Sequence, residues 1–69
     1  MKKNNLKNNL RNFRQQRNLT IEQMANDLRI SNKEIKRIEE NNANPSILLA
    51  MKIANYLNTE VEEIFILDE

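Results

Sequence analysis

The chain of 69 residues contains no cysteine, no histidine, no tryptophan and no glycine, and it has a single proline. Without cysteine there can be no disulfide, and without cysteine or histidine there is no conventional zinc site. No nucleophile stands beside a base, and the acids are not clustered, so the sequence predicts no enzyme, no metal and no cofactor. A domain this small buries only about 60% of the surface of its unfolded chain. Its stability must therefore come from helix packing or from a second subunit.

Long hydrophobic runs are also missing. The longest uninterrupted apolar run is Ile47 to Met51, whereas a membrane-spanning helix needs about 20 residues. The N-terminal residues contain lysines with no apolar stretch behind them, which is not the pattern of a secretory signal. The sequence predicts a cytoplasmic protein with no membrane segment, and no small-molecule ligand is evident.

The net charge is only +1, but the charges are unevenly distributed along the chain. Residues 1–37 hold ten Lys or Arg and three acids, a net of +7, whereas residues 38–69 hold one lysine and seven acids, a net of −6. A basic half favours a polyanionic partner on that side. The alternative is a molecule with solvated charge on every face.

Residues 20–40 contain two short amphipathic helices with almost no connection between them. Each begins with a capping-box pattern, Thr20 with Gln23 and Ser31 with Glu34. The apolar positions on these helices are Met24, Ala25, Leu28, Ile35 and Ile38. Since only residues 28–30 separate the helices, they must cross steeply, and a small side chain such as Ala25 is needed at the contact. This pattern predicts a helix-turn-helix, whose second helix usually contacts DNA.

Three further helices are predicted around this pair. The first carries Leu10 and Phe13 and begins either at Asn9, which leaves residues 1–8 as an arm or short strand, or near Asn5. The fourth is capped by Ser46 or opened by Pro45, ends near residue 57, and has more apolar surface than one contact face requires. A third capping box, Thr59 with Glu62, predicts a short fifth helix. Residues 66–69 could pair as a strand with the N-terminal arm.

Thirteen asparagines accompany the absence of glycine. Helices commonly end on a residue with positive φ, where asparagine is the best substitute for glycine. Asn18, Asn41 and Asn58 stand where the first, third and fourth helices should stop. We therefore expect these three residues to have a structural role.

The outer face of the third helix supplies the candidate binding residues. Arginine and lysine can donate to guanine, and asparagine can pair with adenine. The residues predicted to contact DNA are Thr20, Ser31, Asn32, Lys33, Lys36, Arg37, Asn41 and Asn42. The alternative is an ordinary solvated helix, and for the loop asparagines a role in shaping the turn is equally favoured. Arg14 and Glu39 are predicted to form a partly buried, structural ion pair between the first and third helices.

From Leu10 to Phe65 the chain resembles the Cro/C1-type, or XRE-like, helix-turn-helix family. The residues that carry the resemblance are Leu19-Thr20, Ala25, Ile30-Ser31, Ile35, Ile38-Glu39, Asn44-Pro45-Ser46 and Lys52-Ile53-Ala54. The resemblance implies one all-α domain over residues 1–69, a five-helix lambda-repressor-like DNA-binding fold with a possible N- and C-terminal strand pair. It is closest to short, stand-alone members, which are homodimeric transcriptional regulators without a ligand domain. It also implies a dimerisation segment at about 59–69, with Val61, Ile64, Ile66 and Leu67 as interface candidates.

Three positions depart from the pattern of the family. Ile21 replaces a glutamine that faces a phosphate, Lys33 followed by Glu34 replaces a glutamine of the third helix, and Arg29 stands at a turn that favours glycine. The sequence predicts a repressor that binds a pseudo-palindromic operator on double-stranded DNA as a homodimer. The alternative function is a protein-interaction module on the same fold, such as an antitoxin-like or regulator-binding domain, which Ile21 and the acidic C-terminal half would favour.

Overall fold

A computed structural model describes residues 6–41 and 43–67, which form five helices and two short strands. The elements in chain order are β1 (Leu6–Asn8), α1 (Leu10–Gln16), α2 (Ile21–Leu28), α3 (Asn32–Glu39), α4 (Ile47–Tyr56), α5 (Val61–Ile64) and β2 (Phe65–Leu67). The strands pair antiparallel, with Leu6 opposite Leu67 and Asn8 opposite Phe65. The predicted all-α fold with a terminal strand pair is confirmed, and α1 begins after Asn9, the first of the two alternatives.

Serine and threonine side chains start three of the helices. At α2, the Thr20 hydroxyl accepts from the Gln23 N–H and the Gln23 side chain accepts from the Thr20 N–H, which completes the predicted capping box. Ser31 accepts from the Glu34 N–H at α3 (3.0 Å), and Ser46 accepts from the N–H of Leu49 at α4. These bonds satisfy backbone donors that the first turn of a helix cannot pair internally.

The predicted capping box of α5 is wrong. Its N-cap residue is Glu60 rather than Thr59, and the Glu60 side chain makes no capping bond. The Thr59 hydroxyl instead donates to the Glu63 carboxylate, at 2.6 Å. Because α5 begins at Val61, Thr59 lies one residue before the N-cap. Glu62 is then the second helical residue rather than the third, so the two cannot form a capping box.

Four residues in left-handed conformation end the first four helices. Asn18, Arg29, Asn41 and Asn58 have φ between 56° and 62°, so the structural role predicted for the three asparagines is confirmed. At α1, α2 and α4 the two backbone bonds of a Schellman motif follow, for example from Ile30 N–H to the Ala25 carbonyl and from Arg29 N–H to the Asn26 carbonyl. Arg29 therefore occupies a conformation that costs about 1 kcal/mol or more for a residue with a Cβ.

One apolar core joins all five helices and β2. Its buried members are Leu10, Met24, Ala25, Ile35, Ile38, Ile53, Ala54, Leu57, Ile64 and Phe65. Phe13 and Tyr56 are half-buried against it, so all three aromatic side chains contribute to packing. Ile64 is fully buried within its own chain, and its proposed role at a dimer interface is therefore wrong. The resemblance carried the whole C-terminal segment over as an interface, whereas in this chain Ile64 packs into the core.

Candidate nucleic-acid interface

The outer face of α3 is exposed, basic and polar. Four of its side chains lie within an arc of roughly 140° on the helix circumference. These residues are Asn32, Lys33, Lys36 and Arg37, and all four are exposed. The opposite side of the helix buries Ile35 and Ile38 in the core. Glu34 is half-buried and falls outside the arc, so the one acid in the first turn of α3 does not interrupt the basic face.

The turn between α2 and α3 fixes where α3 begins. Arg29 adopts φ 62°, and Ile30 then donates its N–H to the Ala25 carbonyl at 3.0 Å. Ala25 itself is buried, as expected for a small side chain at the contact between the two helices. The Ser31 cap follows one residue later. The first turn of α3, with Asn32 and Lys33, is thus held by backbone bonds on one side and a side-chain cap on the other.

The C-terminal end of α3 is held by an ion pair. The Glu39 carboxylate accepts from Arg14 Nε at 2.7 Å and from Arg14 Nη2 at 3.2 Å, a two-point contact. Arg11 Nε approaches the same carboxylate at 3.4 Å. The remaining Arg14 nitrogen donates to the Leu19 carbonyl at 3.0 Å. The two residues that the sequence analysis paired therefore lie in contact, and they join α1 to the last turn of α3.

A second anchor at the end of α3 could not be recognised from the sequence. The Asn8 side-chain amide donates to the Ile38 carbonyl at 2.7 Å and to Asn41 Oδ1 at 2.8 Å. Its oxygen accepts the Leu10 N–H, so one side chain of β1 joins the start of α1 to the end of α3. Its partner Ile38 lies thirty residues away along the chain, and no local pattern signals such a contact.

Thr20 lies close to the basic face, across a shallow open depression. The residues around this depression are Arg14, Leu19, Thr20, Ile21, Glu22, Asn32 and Lys36. Thr20 accepts a bond within its capping box and retains a hydroxyl hydrogen that it can donate. Ile21 is half-buried and packs against the core. The first turn of α2 therefore has backbone N–H groups and a hydroxyl beside a depression that Lys36 of α3 and the acid Glu22 also line.

The loop asparagines fall into two cases. Asn41 is exposed, but its side-chain oxygen is bonded to Asn8 and its backbone has φ 62°. Asn41 therefore shapes the turn, and its contact with DNA stays a prediction. Asn42, the other loop candidate, lies outside the described residues.

Tyr56 and Asp27 form a hydrogen bond on another side of the molecule. The Tyr56 hydroxyl donates to Asp27 Oδ2 at 2.7 Å and joins α4 to the last turn of α2. This bond, together with partial burial and the charge of Asp27, raises the pKa of Tyr56 to about 12. The pair borders an open depression that also includes Arg29, Ile30, Ser46 and Leu48.

Comparison with known proteins identifies the class of this fold. A family profile described as "Helix-turn-helix" matches residues 10–64, from the start of α1 to the end of α5. The chain belongs to the Cro/C1-type helix-turn-helix family. Members of this family are DNA-binding transcriptional regulators, and the helix-turn-helix of this chain is α2 with α3.

Archaeal proteins of similar length are similar in sequence to this chain over most of its residues. An uncharacterized HTH-type transcriptional regulator of Methanocaldococcus jannaschii is 39% identical over 64 residues, which cover 93% of this chain and 97% of that protein. A similarly named protein of Archaeoglobus fulgidus is 36% identical over 93% of this chain and 90% of its own length. A third, from Methanothermobacter thermautotrophicus, is 38% identical over 87% of this chain and 88% of its own length.

Among the described residues, no helix has the length and apolar character needed to cross a membrane.

Proposed function

We propose that this helix-turn-helix protein binds a specific DNA sequence as a homodimer and represses transcription where that sequence overlaps a promoter. The observation that carries the proposal is the outer face of α3, where Asn32, Lys33, Lys36 and Arg37 are all exposed on one arc. The backbone bonds and caps that fix both ends of α3 give this face a defined position. Such preorganisation is what recognition of base edges requires.

The residues of the basic face divide into two groups by their place on the helix. Asn32 and Lys33 lie in the first turn of α3, the part of a recognition helix that enters the major groove first. An asparagine can pair with adenine, and a lysine can donate to guanine. Lys36 and Arg37 lie one turn later, within reach of a further base edge or a phosphate. Thr20 and Ser31 contact phosphates, because each stands at a helix N-terminus.

A homodimer would present two copies of α3 to the same side of the DNA. Two recognition helices about 34 Å apart meet successive major grooves, so the operator has pseudo-palindromic half-sites one helical turn apart. The net charge of +7 over residues 1–37 supports approach of this half to DNA. Of the four candidates in the C-terminal segment, Ile66 and Leu67 are exposed and Val61 is half-buried.

The test is titration of the protein with duplexes from the DNA that flanks its gene, at several salt concentrations. Binding should be specific, and its affinity should fall as salt rises, because each phosphate contact releases counterions. Lys33→Ala and Arg37→Ala should each weaken specific binding by about 1–3 kcal/mol and relax the preference at one position of each half-site. Arg11→Gln is the matched control, since it removes one exposed positive charge from α1 rather than from α3.

Two outcomes would contradict the proposal in different ways. If both α3 variants retain full specific affinity, α3 is not the recognition surface. If the protein shows no salt-dependent affinity for any duplex, the same fold serves as a protein-interaction module instead, antitoxin-like or regulator-binding.

A further inference from the structure

The first turn and a half of α4 exposes more apolar surface than any other part of the described chain. Ile47 is 81% exposed, Leu48 is 64% exposed and Met51 is 58% exposed. They lie within an arc of roughly 100° on the helix circumference, on the side away from the buried Ile53 and Leu57. Contiguous apolar surface of this kind on a small soluble domain usually marks an interaction site. We refer to these three residues as the α4 patch.

We propose that the α4 patch is the surface through which two copies of this chain contact each other. This inference rests on the proposed homodimer and names its interface. It differs from the C-terminal segment that the family resemblance implies, because Ile64 of that segment is already buried in its own protomer.

The charges around the two exposed apolar surfaces favour the α4 patch. In a dimer with two-fold symmetry, residues near the axis approach their own copies, so like charges there repel. The α4 helix has no acid and only one basic residue, Lys52. The exposed Ile66 and Leu67 of β2, by contrast, follow two exposed acids, Glu62 and Glu63, and only one basic residue, Lys7 of β1, lies opposite Ile66. A dimer through β2 would bring these acids of both copies together, whereas one through the α4 patch would not.

The position of the α4 patch also suits a dimer that binds DNA. Ser46 and Leu48 share one open depression with Arg29 and Ile30, so the first turn of α4 lies beside the turn that leads into α3. A second copy placed against this turn would bring its own α3 close to the first.

The small size of the α4 patch predicts a weak contact. Stable interfaces usually involve about 20–30 residues on each side, and three side chains with their immediate neighbours fall short of that. We therefore expect a dimer that dissociates readily in solution and that two adjacent half-sites on one duplex hold together.

Cysteine cross-linking gives a direct test, because the natural chain has no cysteine. Met51→Cys introduces one thiol in the α4 patch, and Leu67→Cys introduces one thiol in β2 as the matched control, since both side chains are exposed. With a short bismaleimide linker, Met51→Cys should form a covalent dimer at least about tenfold faster than Leu67→Cys. An excess of the natural, cysteine-free protein should slow the reaction, because it draws the variant into mixed dimers.

Either of two cross-linking results would overturn the inference. One is a reaction of Leu67→Cys that is as fast as that of Met51→Cys. The other is a rate for Met51→Cys that does not change when the natural protein is added, since this indicates random collision. Both variants replace exposed side chains, and circular dichroism verifies that each retains the helical content of the natural protein.

Sedimentation equilibrium provides a second, independent measurement. Leu48→Gln with Met51→Gln should raise the dimer dissociation constant at least about tenfold, because it removes two apolar side chains from each side of the contact. Ile66→Thr with Leu67→Thr should leave the dissociation constant unchanged. The reverse order would place the interface at β2.

The failure of this inference can be distinguished from the failure of the proposed function. If the natural protein and its α4 double variant bind a full operator with the same affinity and stoichiometry, the proposed DNA function stands. The α4 patch is then not the interface. A protein that dimerises through the α4 patch but binds no duplex retains the interface without the proposed DNA function.

Discussion

The ion pair between Arg14 and Glu39 offers the sharpest test of the packing. The Glu39 side chain is 1% exposed and the Arg14 side chain 11% exposed, so both charges are largely removed from water. Their contact has two bonds, at 2.7 Å and 3.2 Å. If Glu39 is replaced, the Arg14 guanidinium keeps only its bond to the Leu19 carbonyl in a nearly dry environment. The cost of the replacement is therefore the cost of an unpaired buried cation rather than the net value of the pair.

The loss of Glu39 from this buried pair should cost a large part of the stability of the domain. Removal of one partner from a buried pair costs about 3–5 kcal/mol, and the residual exposure of Arg14 places the value near the lower limit, about 3 kcal/mol. A domain of this length has a total free energy of unfolding of about 3–10 kcal/mol. Glu39→Ala is therefore close to unfolding the protein. Glu39→Gln, which keeps the volume and one acceptor oxygen, should cost about 2 kcal/mol and leave a protein that can be measured.

The assay is urea unfolding followed by circular dichroism at one fixed protein concentration, since a dimer makes stability depend on concentration. Arg11→Gln is the matched control, because Arg11 is 55% exposed and lies 3.4 Å from the same carboxylate; its loss should cost less than about 1 kcal/mol. Arg14→Met combined with Glu39→Leu removes both charges and should restore stability to within about 1 kcal/mol of the natural protein. The reasoning is refuted if Glu39→Gln costs no more than Arg11→Gln.

Two further predictions concern the ends of α2. Arg29→Gly should raise the free energy of unfolding, measured with urea, by about 0.5 kcal/mol. The relief of the left-handed backbone strain at φ 62° should exceed the cost of the added chain entropy that glycine brings to the unfolded state. Arg29→Ala keeps a Cβ and should give no such gain. Asp27→Asn should lower the pKa of Tyr56 from about 12 toward its ordinary value of about 10, followed by phenolate absorbance, which is unambiguous in a chain with one tyrosine. Because the pKa of Tyr56 is raised in the folded protein, the hydrogen bond to Asp27 stabilises the fold fully below about pH 10, and this stabilisation is lost as pH rises from about 10 to about 12. The assignment is refuted if Asp27→Asn leaves the pKa of Tyr56 unchanged.

Features that depend on neighbouring residues could be predicted from the sequence. The caps at Thr20, Ser31 and Ser46 each join a side chain to an N–H three residues away, and such pairs follow from the backbone geometry of a helix start. Asn18 and Asn58 could be placed for the same reason, since a chain without glycine has few residues that tolerate positive φ. These local rules located the helix boundaries, and the boundaries placed the basic face of α3.

Features that depend on distant residues could not be predicted in the same way. Asn8 bonds to the end of α3 across thirty residues, and its sequence neighbourhood resembles any polar arm. The family resemblance implies an interface role for Ile64, but only the packing of the whole chain shows that this side chain is fully buried in its own core. The surplus of apolar residues in the fourth helix was visible in the sequence, yet only the fold shows that Ile47 and Met51 remain exposed. Tertiary contact decides each of these cases.

The departure at Ile21 illustrates how the fold changes the weight of a sequence difference. A glutamine at this position would contact a phosphate with its side chain, whereas Ile21 is half-buried and packs against the core. The open depression beside it is lined by Thr20 and by Lys36 of α3, together with one acid, Glu22. A phosphate located there would contact a helix N-terminus, a hydroxyl and a cation, which together need no glutamine. In the proposed DNA complex, the isoleucine would therefore exchange one phosphate contact for core packing, and more of the phosphate binding would fall to α3, the helix proposed to make the base contacts.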